Sequence, residues 1–235
     1  MTVKFSKDTS TILKNFSAIN QSLIFNEGVE GTGTIIKTVS GAKNVFGSVT
    51  IPEVMPQAFA VYDLNAFLRC QEDLFADPVL TDFKENSVTI RDADLKLRSK
   101  TNYYFTDQKN ISSPKKDIKF PATDASFEVT EAQVSAIVKA ANVLQRPYIG
   151  FVSDGKEISV KAFDFKQKVS NDFSLVIGET EVPEFVAFMS VDSLKILPGA
   201  YTVDVSSKKI TRFTSKDVES LVYFIALEGE SFFSS

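Results

Sequence analysis

Between Thr11 and Gln21 the chain reads TILKNFSAINQ, and Ile12, Leu13, Phe16 and Ile19 return to one face of a helix turning about 100° per residue. Lys7, Ser10, Lys14 and Gln21 fall on the opposite face. An offset of 125 residues reaches a second stretch of the same kind, AIVKAANVLQR from Ala136 to Arg146. There Ile137-Val138-Lys139 takes the place of Ile12-Leu13-Lys14, and Val134, Ile137, Val138, Ala141 and Leu144 form the apolar stripe. Lys139 and Arg146 lie largely away from it. Ser6 is placed to cap the first helix. Thr130-Glu131-Ala132-Gln133 has the capping-box spacing and starts the second.

Period-two patterns follow each helix. YIGFVSDGKEISVKAF predicts two strands joined at Asp154-Gly155, with Ile158, Val160 and Ala162 on one side. KENSVTIRDADLKLRSK predicts the same in the first half, with Val88, Ile90, Leu95 and Leu97 inward. A shorter second helix is expected in each half. Asp63 caps LNAFLRC in the first, and Ser190 opens VDSLKIL in the second, ended by Pro198-Gly199. The strands YTVDVSSKKITRF and LVYFIALE close the chain. Ser22–Pro56 carries the least distinct pattern.

Each half thus reads helix, strands, helix, strands. The stretch KNISSPKKDIKFPATD between them, with two prolines and little periodicity, reads as a surface linker. The expected organisation is a first domain over 1–107, a linker over 108–123 and a second domain over 124–235. The fold class is α+β, with two similar domains, each carrying two helices on one side of antiparallel sheets.

Composition removes several functions. The 235 residues contain no histidine and one cysteine, Cys70, so imidazole catalysis and the usual zinc sets are unavailable. The lone cysteine forms no internal disulfide and points to an intracellular chain. No apolar run is long enough to span a bilayer, and MTVKFSKDTS has no signal-peptide core, so no membrane association is expected. No cofactor, metal or catalytic residue is expected.

The net charge is -4, but it is segregated. Asp217, Glu219, Glu228 and Glu230 stand in the last stretch without a basic residue. Seven basic residues lie between Lys96 and Lys119, against Asp107 and Asp117. The plainer reading of any one basic helix face is solvation. Its recurrence in both halves favours another. If such units continue around a closed ring, the helices line a hole and Lys7, Lys14, Lys139 and Arg146 meet phosphate without reading sequence. Retention is then topological, which an acidic total allows.

The chain resembles the sliding clamps of T-even-like bacteriophages, the DNA polymerase processivity factors. The likeness runs in order through FSKDTSTILKNFSAIN (Phe5–Asn20), AVYDLNAFL (Ala60–Leu68), SPKKDIKFP (Ser113–Pro121), LPGAYTVDV (Leu197–Val205) and YFIALEGE (Tyr223–Glu230). The resemblance implies a DNA-clamp fold, a head-to-tail homotrimeric ring around duplex DNA, and a subunit interface between two edge strands. Order along the chain places those strands near Leu95–Tyr104 and Val169–Ile177. Leu95, Leu97, Tyr103 and Tyr104 would meet Phe173, Leu175 and Ile177 of the next copy. It further implies an ATP-dependent clamp loader, a DNA polymerase docked by a short peptide, and residence in the cytoplasm of an infected bacterial host. Ile118, Phe120, Tyr223 and Phe224 are the candidate lining of the peptide pocket, with a core role as the alternative for each.

Other signals carry less. GTGT at Gly31–Thr34 lacks the rest of a phosphate-binding loop and reads as a hairpin turn. The carboxylates of Asp92 and Asp94 read as a solvated turn rather than a metal site. Phe232-Phe233 reads either as a docking tail or as strand-end packing. Two competing functions remain: an interaction scaffold of the same duplicated fold without DNA, and an enzyme working through carboxylates alone, for which no spacing offers support.

Overall fold

Ser6 is extended, and its Oγ accepts the amide of Thr9 at 3.1 Å, opening the helix α1 (Lys7–Ile19). The Glu53 carboxylate completes this start by accepting Ser6 N at 2.6 Å and Thr9 Oγ1 at 2.7 Å. Negative charge at a helix N-terminus also complements its dipole. Ile12, Leu13, Phe16 and Ile19 are all buried, as their spacing requires. This computed structural model describes residues 1–94, 98–114, 116–167 and 171–234, which divide into the compact units Met1–Lys116 and Asp117–Ser235.

In the first unit α1 is followed by β1 (Leu23–Phe25), β2 (Thr34–Val39), β3 (Val45–Ile51) and β4 (Phe59–Val61). Then come α2 (Leu64–Glu72), β5 (Pro78–Lys84), β6 (Ser87–Asp92) and β7 (Lys100–Tyr104). Asp63 caps α2 by accepting Ala66 N at 2.8 Å. The weakly patterned Ser22–Pro56 stretch therefore holds three strands. The turn between β1 and β2 explains the GTGT glycines. Gly31 and Gly33 have φ of 78° and 99°, and a Cβ on Gly33 would sit 2.1 Å from the Ile51 carbonyl oxygen.

In the second unit the order is β8 (Ala125–Val129), α3 (Glu131–Leu144), β9 (Tyr148–Ser153), β10 (Glu157–Phe163), β11 (Phe173–Glu179) and β12 (Phe185–Ser190). β13 (Tyr201–Ser206), β14 (Ile210–Ser215), β15 (Val222–Ala226) and β16 (Phe232–Phe233) complete it. The capping box of α3 is formed by Thr130 and Gln133. The β9–β10 turn lies at Asp154-Gly155, where Gly155 has φ of 86° and the Asp154 carboxylate accepts two backbone amides.

The expected second helix of this half does not form. Val191–Ser193 make one 3-10 turn, Ser190 supplies no side-chain cap, and the chain leaves helical geometry at Leu194. The stretch is too short to repay helix nucleation before Pro198 stops it. Among the described residues there are two α-helices in the first unit and one in the second, rather than two in each. Two buried tyrosines hold the irregular replacement. Tyr201 donates its hydroxyl to the Leu197 carbonyl, and Tyr223 accepts Leu197 N at 3.3 Å. Burial raises both hydroxyl pKa values well above their ordinary range.

Strand pairing shows a finer repeat than the halves. β4, which precedes α2, pairs antiparallel with β1, the first strand after α1. Val3, which precedes α1, bridges Leu80 of β5, the first strand after α2. The second unit repeats this: β8 pairs with β13, and β12 pairs with β9. Each unit is two interleaved modules that exchange their first segments; in the second unit the 3-10 turn stands where one helix would, and in the first a single bridge at Val3 stands for one strand. Within the units the strands run β4-β1-β2-β3 and β5-β6-β7, then β15-β14-β13-β8 and β11-β10-β9-β12-β16.

Aromatic rings fill the space beneath the helices. Phe59 stacks on Phe25 at 4.7 Å and on Phe105 at 4.6 Å, while Phe67 of α2 meets Tyr103 edge-on at 4.9 Å. Phe127, Phe151 and Phe213 play the same part under α3. Phe232-Phe233 is a strand end: β16 pairs with β12, and Phe233 stacks on Phe185 at 5.8 Å. The expected linker is partly built in. Gln108–Asn110 form a 3-10 turn, Ile111 is buried, and Asn20 Nδ2 donates to the Ser112 carbonyl at 3.1 Å.

Gly33→Ala is expected to lower unfolding stability by about 2 kcal/mol or more, through a strained φ and a backbone collision. Chemical denaturation of both proteins checks it. Tyr223→Phe removes the partner of the amide of half-buried Leu197 and is expected to cost about 1 kcal/mol by the same measurement.

Candidate nucleic-acid interface and edge strands

The buried positions of α1 fix its outward side, and Lys7 and Lys14 stand there, both exposed. Lys14 is not isolated: its Nζ lies 2.7 Å from the Glu72 carboxylate at the end of α2. Ser17 donates to Asn65 of α2 at 2.8 Å, so the outer faces of the two helices are tied together. Lys139 is exposed on the side of α3 opposite Ile137 and Ala141. Arg146 is placed differently. α3 ends at Gln145, which is left-handed with φ of 54°, and Arg146 folds back, its Nε donating to the Leu144 carbonyl at 2.7 Å. It is half-buried, one residue beyond the helix cap.

One outward cation was missed. Leu64, Phe67, Leu68 and Gln71 are the buried side of α2, which leaves Arg69 exposed on the other. The apolar spacing of LNAFLRC held that signal. The stripe of α3 is less covered than its pattern implied: Ile137 and Ala141 are buried, Val134, Val138 and Leu144 are half-buried, and Val143 is 71% exposed. Val134, Val138 and Val143 line a groove whose other wall is the irregular 194–198 stretch.

Among the described residues β7 pairs only with β6 and β11 only with β10, so each presents one open row of backbone donors and acceptors. Tyr103 points inward against Phe67, while Tyr104 is 68% exposed. Phe173, Leu175 and Ile177 are half-buried, and Val176 between the last two is 51% exposed. Leu95 and Leu97, named with these strands, lie outside the described residues, as does Val169. Burial pushes the Tyr103 hydroxyl up to about 12, with the nearby charge of Asp63 adding to the effect. That hydroxyl donates to the Asp63 carbonyl at 3.2 Å.

The four residues proposed for a peptide pocket do not share one surface. Tyr223 and Phe224 are neighbours on β15 and point to opposite faces, as alternation requires. Tyr223 is fully buried and belongs to the core. Phe120 lies 6.2 Å from Phe224 and carries the Arg212 guanidinium at 4.8 Å, while Ile118 is half-exposed. Arg212 is held in turn by Asp204 at 2.7 Å. Asp92, from the paired-carboxylate signal, accepts the amide of Asp77 at 2.8 Å and so serves the backbone.

No protein-family model matches the chain. Two similar proteins are the sliding clamp of Vibrio phage KVP40, 27% identical over 97% of this chain and 100% of that one, and the sliding clamp of Enterobacteria phage T4, 25% identical over 97% and 98%. The chain is a homologue of the phage sliding clamps. The homology spans both units, so both copies of the repeat fall within it. Solved structures agree on the fold. PCNA of A. fulgidus, bound to the C-terminal region of FEN-1, superposes with a TM-score of 0.74 at 16% identity over 98% of this chain and 99% of that one. PCNA of Thermococcus kodakaraensis gives 0.70 at 15% over 97% and 99%. The clamp homologue has the DNA-clamp fold, with its second unit short of one helix.

The raised Tyr103 pKa fixes the sign of a pH effect. The hydroxyl ionises near 10 in the unfolded chain and near 12 in the folded one, so its contribution is complete below pH 10 and is lost as pH rises through about 12. Denaturation midpoints of the clamp homologue and Tyr103→Phe are expected to converge between those values.

Proposed function

We propose that this chain is a sliding clamp: one subunit of a ring of three that encircles duplex DNA and tethers the replicative DNA polymerase, catalysing nothing itself. The observation that carries the proposal is full-length homology to phage sliding clamps in a chain whose helices turn exposed cations away from their sheets. Lys7, Lys14, Arg69 and Lys139 face the duplex. Arg146, tied to the end of α3, is left out of that lining. These cations are few and one is neutralised in place by Glu72, so attraction to phosphate is weak and encirclement does the holding.

The open edges of β7 and β11 supply the contact between copies, through Tyr103 and Tyr104 on one side and Phe173, Leu175 and Ile177 on the other. Such a head-to-tail contact closes when its rotation divides a circle. The polymerase peptide docks beside Ile118, Phe120 and Phe224. An ATP-dependent loader opens the ring, and the site of action is the cytoplasm of an infected bacterium.

The direct test is retention on circular duplex DNA after loading, with release expected once the circle is cut. Retention independent of the cut supports an interaction scaffold instead. Lys14→Glu combined with Lys139→Glu is expected to shorten the polymerase's run length several-fold on long templates while leaving the oligomer intact. Glu72→Gln, which releases Lys14, is expected to act in the opposite direction. Unchanged run lengths in both variants refute the lining role.

A further inference from the structure

We propose that charge sets the register between copies, with the Arg98–Lys100 end of β7 seated on the Glu179–Glu181 end of β11 in the next copy. The inference rests on the ring reading above and adds what fixes the two edges against each other.

The two edges differ in where their charge sits. β7 opens with Lys100, and Arg98 stands two residues before it; both are exposed, and neither joins an ion pair among the described residues. β11 ends on Glu179, which lies directly across from Glu157 of β10, and Glu181 follows two residues later. All three carboxylates are exposed, and Lys156 is the cation beside them. Like charges directly opposite on neighbouring strands are unfavourable. An isolated chain gains nothing from that pair, whereas a strand edge awaiting cations does.

Side-chain direction narrows the fit. Thr101 and Tyr103 are the half-buried positions of β7, and Lys100, Asn102 and Tyr104 are the exposed ones. In β11, Phe173 and Leu175 are half-buried, while Ser174 and Val176 are exposed. A joined sheet must keep inward residues beside inward residues, because a slip of one position turns every side chain over. Antiparallel pairing is the direction that brings the basic end of one strand onto the acidic end of the other.

With Tyr103 opposite Leu175, Tyr104 meets Ser174 and Asn102 meets Val176. Beyond Val176 β11 is bulged: Gly178 lies across from the buried Ile158 and Glu179 across from the exposed Glu157. The bulge thus turns Glu179 and Glu157 to the outward side that Lys100 shares, and Lys100 meets that pair, with Arg98 just before the strand on the side of Glu181. The exposed Tyr104 and Val176 become covered in the same arrangement. Because these pairs lie at the rim, their contribution is screened by salt, and ring closure becomes dependent on ionic strength.

The experiment is native mass spectrometry with sedimentation of the full chain at about 50 mM and about 500 mM salt, since screening shortens from above 10 Å to a few ångströms over that range. A trimer that loosens with salt is expected. Arg98→Glu with Lys100→Glu, and separately Glu157→Lys with Glu179→Lys, are each expected to weaken assembly at low salt by roughly tenfold. All four changes in one chain are expected to restore it. A trimer unaffected by either pair of reversals, or four changes that fail to restore assembly, overturns the charge register and leaves the ring standing. A parent chain that stays monomeric at every concentration and salt overturns the ring, and the register with it.

Discussion

Every helix of this chain depends on strands that its own module does not supply. The segment before each helix, or before the 3-10 turn that stands in for one, crosses to pair with the first strand of the unit's other module, so neither module completes its sheets alone. The exchange brings four short segments into register and lets each unit bury a single core. It also determines which edges remain. The first strand of each module is consumed within the unit, and the last strand of the first sheet pair, β7, and its counterpart β11 are left open. The surfaces proposed for assembly are thus a product of the same pairing that stabilises the units.

Local chemistry was readable from the residues. Ser6, Asp63 and Thr130 cap the helices they were expected to cap, because capping needs only a side-chain oxygen and an amide two or three positions on. The apolar spacing of α1 gave its buried side without error. What depended on distant contacts was harder. VDSLKIL has the composition of a short helix, but tyrosines placed in β13 and β15 hold the segment after its single turn in an irregular path. The Glu53 cap of α1 comes from a residue 47 positions from Ser6 and left no mark in the local pattern.

The candidate site was legible to the same extent. Lys7, Lys14 and Lys139 are outward because periodicity alone dictates it. Periodicity does not extend to Arg146, because a left-handed Gln145 ends the helix one residue earlier. Tyr223 was misplaced by grouping it with its neighbour, although alternation along a strand sends adjacent side chains to opposite faces. Strand edges are a property of topology. Their location came from the resemblance and not from the alternation of residues.

The absent helix has an effect on the cations themselves. Lys14 is anchored by Glu72 because a second helix stands beside α1 to carry that carboxylate. α3 has no such neighbour, and Lys139 joins no ion pair among the described residues, so its four-carbon stem keeps its rotamer freedom. In the proposed ring a passing phosphate meets one lysine already held by a carboxylate and another free to swing. A swinging arm can follow a turning backbone through angles at which a held lysine loses contact.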